Sequence, residues 1–324
     1  MSGAIRRFAG TGDATLLVIA VLGYVALAIS SHGDLVSADS TRNLLRYLAV
    51  PILIGLAQAS ALMVGQLNLA IGAMGGFTAA VLGVLMEYHH VPTVLVVLIG
   101  VAVSTALGLL NGVLVVVTRF DGFIVTLATM TALTGGSYAL LGTDVLDKYS
   151  PGMRGFGAAA LGPVPVIFLV AVAVAVVLAL FLRHAIAGRR LLASGGNPVA
   201  ARLSGISNDR AVIAAHTLSG LLIGIAAVVM VASVPGVNTS LGNDWLLKSF
   251  AAPIIGGVAL TGGSLAVLGT ALAALIIRLV EITQAQFSLD PSWVNFVVGT
   301  VVLGTVLVGR WRTRRTRKVV ATHG

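Results

Sequence analysis

Apolar residues fill this chain in long unbroken runs rather than in alternation, and short polar breaks divide them into ten segments. The runs cover 16–30, 44–64, a stretch ending near 86, 93–117, 123–141, 164–182, 211–232, a shorter glycine-rich stretch leading into 256–263, then 265–282 and 293–308. A bilayer core of ~30 Å is crossed by about 20 residues of helix, and hydrocarbon offers backbone groups no partner outside the segment itself. Barrel strands would alternate, which these runs do not. The pattern predicts an all-α polytopic membrane protein with about ten transmembrane helices. Ala26, Leu27 and Ala28 resemble a signal-peptidase site, but the first run is read as an uncleaved span.

Composition agrees. Of 324 residues, 57% are hydrophobic and only 10% charged, with a mean hydropathy of +1.03, which no water-soluble domain of this size sustains. The net charge of +9 then has a different meaning from the one it would have in a soluble protein. Arginine gathers before the first run, between the sixth and seventh, and after the tenth, beside spans where it sets orientation and meets anionic lipid headgroups. Membrane lipids, not nucleic acid, are the expected partners of that charge. All three places fall on one side only if about ten spans lie between the ends, and that side is the cytoplasm. The expected organisation is a cytoplasmic N-terminal segment 1–13, a transmembrane domain 14–309, and a basic cytoplasmic tail 310–324. The balanced-charge loop 142–163 is then external. Cysteine is absent, which excludes disulfides and thiol chemistry.

The stretch GRRLLASGGNPVAARLSGISNDR, from residue 188 to 210 within the cytoplasmic break 183–210, is the long polar interruption of the second half. Asn197 suits a helix cap, Pro198 the first helical position and Gly205 the residue just past the end. That predicts a helix of about two turns, roughly 10 Å long. Val199 and Leu203, one turn apart, with Ile206 just beyond, give it a small apolar face, while Arg202 points elsewhere. A short helix displayed in water between spans is suited to docking.

Two glycine-interrupted segments, 65–76 and 256–269, occupy comparable positions in the two halves. Paired interruptions point to a substrate path at the membrane midplane. The other reading is close helix packing, since Gly72/Gly76, Gly108/Gly112 and Gly220/Gly224 have small-xxx-small spacing. Gln66, Asn68, Asn111, Thr126 and Thr129, with Gly257, Gly262 and Gly263, would suit a path for a polar, uncharged solute such as a sugar. Against this, threonine hydroxyls bond back to their own helix and asparagines link helices. Arg278 and Glu281, three apart, are read as an ion pair near the outer headgroups, and His216 as a hydrogen bond to a neighbouring helix.

Enzymatic chemistry finds no motif. G-x-x-x-x-G-K-[ST] is missing and only three lysines occur, Lys148, Lys248 and Lys318, so any ATP is handled by a partner. H-E-x-x-H and G-x-S-x-G are missing too. No catalytic residue, metal site or bound cofactor is expected. A stand-alone secondary carrier is disfavoured by the lack of mid-span carboxylates.

The chain resembles the ribose-type permease subunits of bacterial ATP-binding-cassette importers. The resemblance rests on GQLNLAIG at 65–72, Asn111 with Gly112, FIVTLATM at 123–130, GRRLLASGGNPVAARLSGI at 188–206, SGLLIGIAA at 219–227, GGVALTGG at 256–263 and LGTALAALI at 268–276. It implies a permease in the bacterial cytoplasmic membrane that pairs with a second permease subunit, as a homodimer, and receives sugar from an extracytoplasmic solute-binding protein. It also implies ATPase subunits that hydrolyse ATP on the cytoplasmic face, docked on the helix of Asn197, Pro198, Val199, Arg202, Leu203, Gly205 and Ile206. Two departures stand out. Asn68 and Ala70 replace the family's usual acid and hydroxyl, and Arg278 and Glu281 replace small or amide residues.

Overall fold

The computed structural model describes residues 12–31, 33–290, 292–301 and 303–304. The N-terminal segment 1–11 and the basic tail 310–324 lie outside the described residues. Nearly every apolar run is a helix, as the absence of water in hydrocarbon requires. Among the described residues seven helices are long and apolar enough to cross a membrane: α1 (Asp13–Ser30), α2 (Ala38–Leu62), α4 (Thr93–Thr118), α5 (Gly122–Leu141), α7 (Val166–His184), α10 (Asn208–Ser233) and α12 (Val267–Gln286). Three more are apolar but shorter: α3 (Ile71–Glu87), α11 (Trp245–Ile255) and α13 (Ser292–Val301).

The polar breaks hold more structure than their composition predicts. The break that begins at residue 142 contains α6 (Pro151–Ala158) and a two-stranded antiparallel hairpin of β1 (Ala160–Leu161) and β2 (Val164–Pro165). The break after α7 contains α8 (Ile186–Gly196) as well as the expected α9 (Pro198–Leu203). The eighth apolar segment is helical only over α11, and its glycine-rich end is a series of turns at positive φ.

α2 is the axis. From Leu48 to Met63 it is buried on every side, a pattern that suits a helix surrounded by helices rather than by lipid. α10, α11, α12 and α7 pack around it, and α1 lies outside α12 with most of its apolar surface exposed. The tightest pairing is α4 with α10, and glycine explains it. A methyl group at Gly108 or Gly220 would strike the backbone of the other helix, and one at Gly112 or Gly224 would meet Ile213 or Val101. Ser104 seals the contact by donating its Oγ to the Gly220 carbonyl at 2.8 Å. In lipid, where apolar surface alone does not drive association, such close approach holds helices together.

His216 departs from expectation. It is fully buried, yet neither ring nitrogen has a partner among the described residues, and the face of α4 opposite it presents Gly112, which has no side chain to offer.

Candidate functional site

α9 is built as its sequence indicates. Asn197 adopts an extended conformation and its Oδ1 accepts the Ala200 N–H at 3.0 Å, with Pro198 at the first helical position. At the other end Gly205 turns left-handed at φ 78°. Its N–H donates to the Arg202 carbonyl at 3.0 Å and the Ile206 N–H reaches the Ala201 carbonyl at 2.9 Å. Those two bonds are a Schellman stop. Val199 and Leu203 are 71% and 86% exposed, so the apolar face is presented outward, while Ala201 is buried and Ile206 half-buried. Arg202 is exposed as well.

The helix is anchored through residues the sequence reading passed over. Asn208 donates from Nδ2 to the Pro198 carbonyl at 3.0 Å and accepts from the Ser194 hydroxyl at 2.9 Å, joining α8, α9 and α10 through one amide. Arg119, at the end of α4, grips Asp209 in a two-bond pair of 2.9 and 3.1 Å. Such planar bidentate geometry fixes direction as well as distance.

The two glycine-rich interruptions meet each other, and both meet α8. The Gly263 N–H donates to the Met63 carbonyl at 2.8 Å. A Cβ on Gly195 would collide with the Met63 carbonyl and the Gly263 nitrogen, one on Gly262 with Gly65 and Gly195, and one on Gly263 with Gly196. Gly65, Gly262 and Gly263 all have φ between 73° and 91°, so these turns need glycine for conformation as well as for room. Three distant stretches thus share one backbone junction, at Gly195 and Gly196, two residues before α9 begins. Both interruptions lie at the α8–α9 end of the bundle, the first at the close of the 25-residue α2, which is long enough to span a bilayer before it. Gly257 stands apart, exposed at φ 87° with open space around it.

The polar residues of the first interruption are bonded internally. Asn68 is fully buried: its Oδ1 accepts the Ala70 N–H at 3.0 Å and its Nδ2 donates to Ser219 Oγ at 3.1 Å. Thr126, also fully buried, accepts the Leu69 N–H at 3.0 Å and donates to the Gly122 carbonyl at 2.6 Å. Gln66 Oε1 accepts the Gly122 N–H at 3.2 Å. Asn111 reaches only Met74 Sδ, at 3.6 Å, and the half-buried Thr129 bonds back to the Thr126 carbonyl at 3.1 Å. Gln66 and Thr126 therefore meet at the start of α5, Asn68 ties the same interruption to α10, Thr129 lies one turn further along α5, and Asn111 contacts α3. Gln58 was not singled out from sequence. Its whole amide is buried one turn before the end of α2 without a partner among the described residues, and its one signal was a lone amide in an apolar run.

A second polar cluster occupies the opposite end of the bundle. Arg278 Nη1 and Glu281 Oε2 are 2.7 Å apart, as their spacing implies. Lys248 Nζ lies 2.6 Å from both Glu281 and Asp244, and the Arg278 guanidinium sits 5.0 Å from the Tyr47 ring centre. Among the described residues no cluster of three or more histidine and acidic side chains could hold a metal ion.

Residues 40–306 match the family described as branched-chain amino acid transport system / permease component. The chain belongs to that family. Similar characterised proteins include the fructose import permease protein of Rhizobium meliloti, 26% identical over 94% of this chain and 86% of its own. The ribose import permease protein of Haemophilus influenzae is 26% identical over 90% and 92%. An autoinducer 2 import system permease protein of Escherichia coli O157:H7 is 30% identical over 76% of each chain. No solved structure matches the chain. Membership of a permease family and seven span-length apolar helices make this a multi-pass inner-membrane transport protein.

Proposed function

We propose that the chain is the membrane-spanning subunit of an ATP-driven importer for a sugar or similar small polar solute, and that α9 is the element through which ATPase subunits act on it. The observation that carries this reading is the exposed Val199–Leu203 face on a helix stopped at both ends and stapled to two neighbours. A rigid helix with few apolar anchors fits helix-in-groove recognition. The relatives' names supply the solute class: two of them import monosaccharides by name.

In this reading the ten apolar helices all span, both termini are cytoplasmic, and the chain pairs with a second copy and with an extracytoplasmic solute-binding protein. ATP is hydrolysed by the partner subunits and no cofactor binds here. The glycine junction beside α9 carries motion from the docking face into the turns after α2 and α11. Gln66, Asn68, Asn111, Thr126 and Thr129, with Gly257, Gly262 and Gly263, form the cytoplasmic part of the path.

Leu203→Asp tests the docking role. The variant is expected to insert normally but to lose ATPase co-purification and ATP-driven uptake in proteoliposomes, and retained coupling would remove α9 from the mechanism. Uptake that persists without the ATPase and the binding protein would identify a stand-alone carrier instead. Asn68→Asp tests the path: altered solute preference supports it, and unchanged preference leaves Asn68 as a helix linker.

A further inference from the structure

The charge cluster at the far end of the bundle forms the wall between two spaces. One is an open chamber of about 560 Å³ bounded by Ser30, Ser31 and Ser40 and by the last turns of α12. The other is a more enclosed cavity of about 140 Å³, bounded among others by Arg46, Tyr47, Asp244 and Lys248. Arg278 and Glu281 line both, and they are the residues the two linings share. At roughly 30 Å³ for each water, the inner space holds about five waters, room for a small polar solute.

Its charges do not balance. Lys248 and Arg278 are neutralised by Asp244 and Glu281 at 2.6–2.7 Å. Arg46 has no carboxylate within ion-pair distance among the described residues. It reaches only the Ala232 and Ser233 carbonyls, at 3.4 and 3.5 Å, and its buried Nε has no protein partner. An unpaired guanidinium bordering an enclosed space is costly unless an anion completes it. The remaining lining joins acceptors for hydroxyls in Asp244 and Glu281 to the aromatic rings of Tyr47 and Trp245 and an aliphatic wall that includes Val50 and Ile54, a combination suited to a polyhydroxylated ring.

We propose that the inner cavity is a solute site for a sugar acid, with Arg46 taking the carboxylate and the Arg278–Glu281 pair closing the site toward the outer chamber. This deepens the importer reading and rests on it for the direction of transport, since it puts the site at the mouth opposite α9. It also gives Arg278 and Glu281 a purpose. A neutral-sugar site has no need of the unpaired Arg46.

The chain has no cysteine, so a single introduced thiol reports without background. Ser233 lines the inner cavity and is buried, and Ser233→Cys is nearly isosteric. In the full chain, in lipid nanodiscs, labelling of this thiol by a small methanethiosulfonate is expected to be slow, and about tenfold faster in Glu281→Gln as the closed state loses its latch. Arg278→Gln serves as the second opening variant should Glu281→Gln fail to fold. D-glucuronate at millimolar concentration is expected to protect the thiol, D-glucose and sulfate are not, and Arg46→Gln is expected to abolish the protection. Equal protection by glucose or by sulfate would overturn the sugar-acid assignment. No protection by any of them would overturn the site, and unchanged rates in both opening variants would overturn the closure. No ATPase takes part, so protected labelling alongside failed ATP-driven uptake would sink the importer reading alone.

Discussion

The two ends of the bundle are held by different kinds of matter. At the α8–α9 end, the contacts that join Met63, Gly65, Gly195 and Gly262–Gly263 run between backbones, with glycine at nearly every point of approach. At the other end Arg46, Asp244, Lys248, Arg278 and Glu281 meet through charged side chains around two spaces. A backbone junction has no chemistry to offer a solute, but it transmits displacement without slack, since nothing in it can change rotamer. A charged cavity can select a solute. Under the proposed function the two ends divide the labour, recognition at one and mechanical coupling at the other.

The sharpest way to break that contrast is at the junction. Gly195→Ala is expected to destabilise by about 3 kcal/mol, as an overpacked core does, because the added methyl runs into the Met63 carbonyl and the Gly263 nitrogen. Its neighbour is the control. A methyl at Gly196 would come no closer than 3.6 Å to Gly263 Cα, an ordinary contact, so Gly196→Ala is expected to melt with the parent. Thermal unfolding of the two variants in the same detergent decides it, and equal melting temperatures would mean that the junction yields.

At the charged end, Lys248→Met leaves Glu281 with one cation in place of two. Since these side chains are only 15–23% exposed, screening is weak, and a loss of about 2 kcal/mol is expected, measured by the same unfolding experiment with salt varied. Next in size is the cap of α9. Asn197→Ala removes the acceptor for the Ala200 N–H and is expected to cost about 1 kcal/mol of local helix stability. The observable is faster amide exchange over Val199–Leu203 with the global melt nearly unchanged.

What was legible in the sequence follows the range of the interactions. α9 could be read to the residue because its cap, its proline and its stop are local. The Arg278–Glu281 pair could be read because three residues on a helix bring side chains together. The meeting of Gly65, Gly195 and Gly262 could not, because it joins three points far apart in the chain and each glycine alone reads as packing. α6 escaped because PGMRGFGA carries three glycines, poor helix formers, and was outvoted by tertiary contact of Met153 and Gly157 with α10 and its surroundings. The inner cavity escaped for the same reason as the junction: Arg46 and Lys248 look like isolated charges in apolar runs until α2 and α11 are side by side.

The smallest effect belongs to an ion pair at the charged end with one solvated partner, since the Lys148 side chain is 75% exposed and the Glu87 side chain 11%. Glu87, the last residue of α3, accepts the N–H groups of Asp147 and Lys148 on one oxygen at 3.0 and 3.3 Å and lies 3.4 Å from Lys148 Nζ on the other. Desolvation alone would raise its pKa, but the Lys148 backbone bond, the Lys148 side chain and the Asp147 backbone bond together hold it below the usual carboxylate range. A carboxylate whose folded pKa is depressed contributes stability above its unfolded pKa and loses it as pH falls through the folded value. Glu87→Gln is therefore expected to differ from the parent at neutral pH, where only the parent's charge is present, and to converge with it well below pH 4, where both side chains are neutral. Because Lys148 is solvated, moderate salt should shrink the neutral-pH difference, whereas the loss in Lys248→Met should survive it. Equal salt sensitivity in the two variants would mean that the inner cluster is as wet as the surface, and the enclosed site would lose its electrostatic basis.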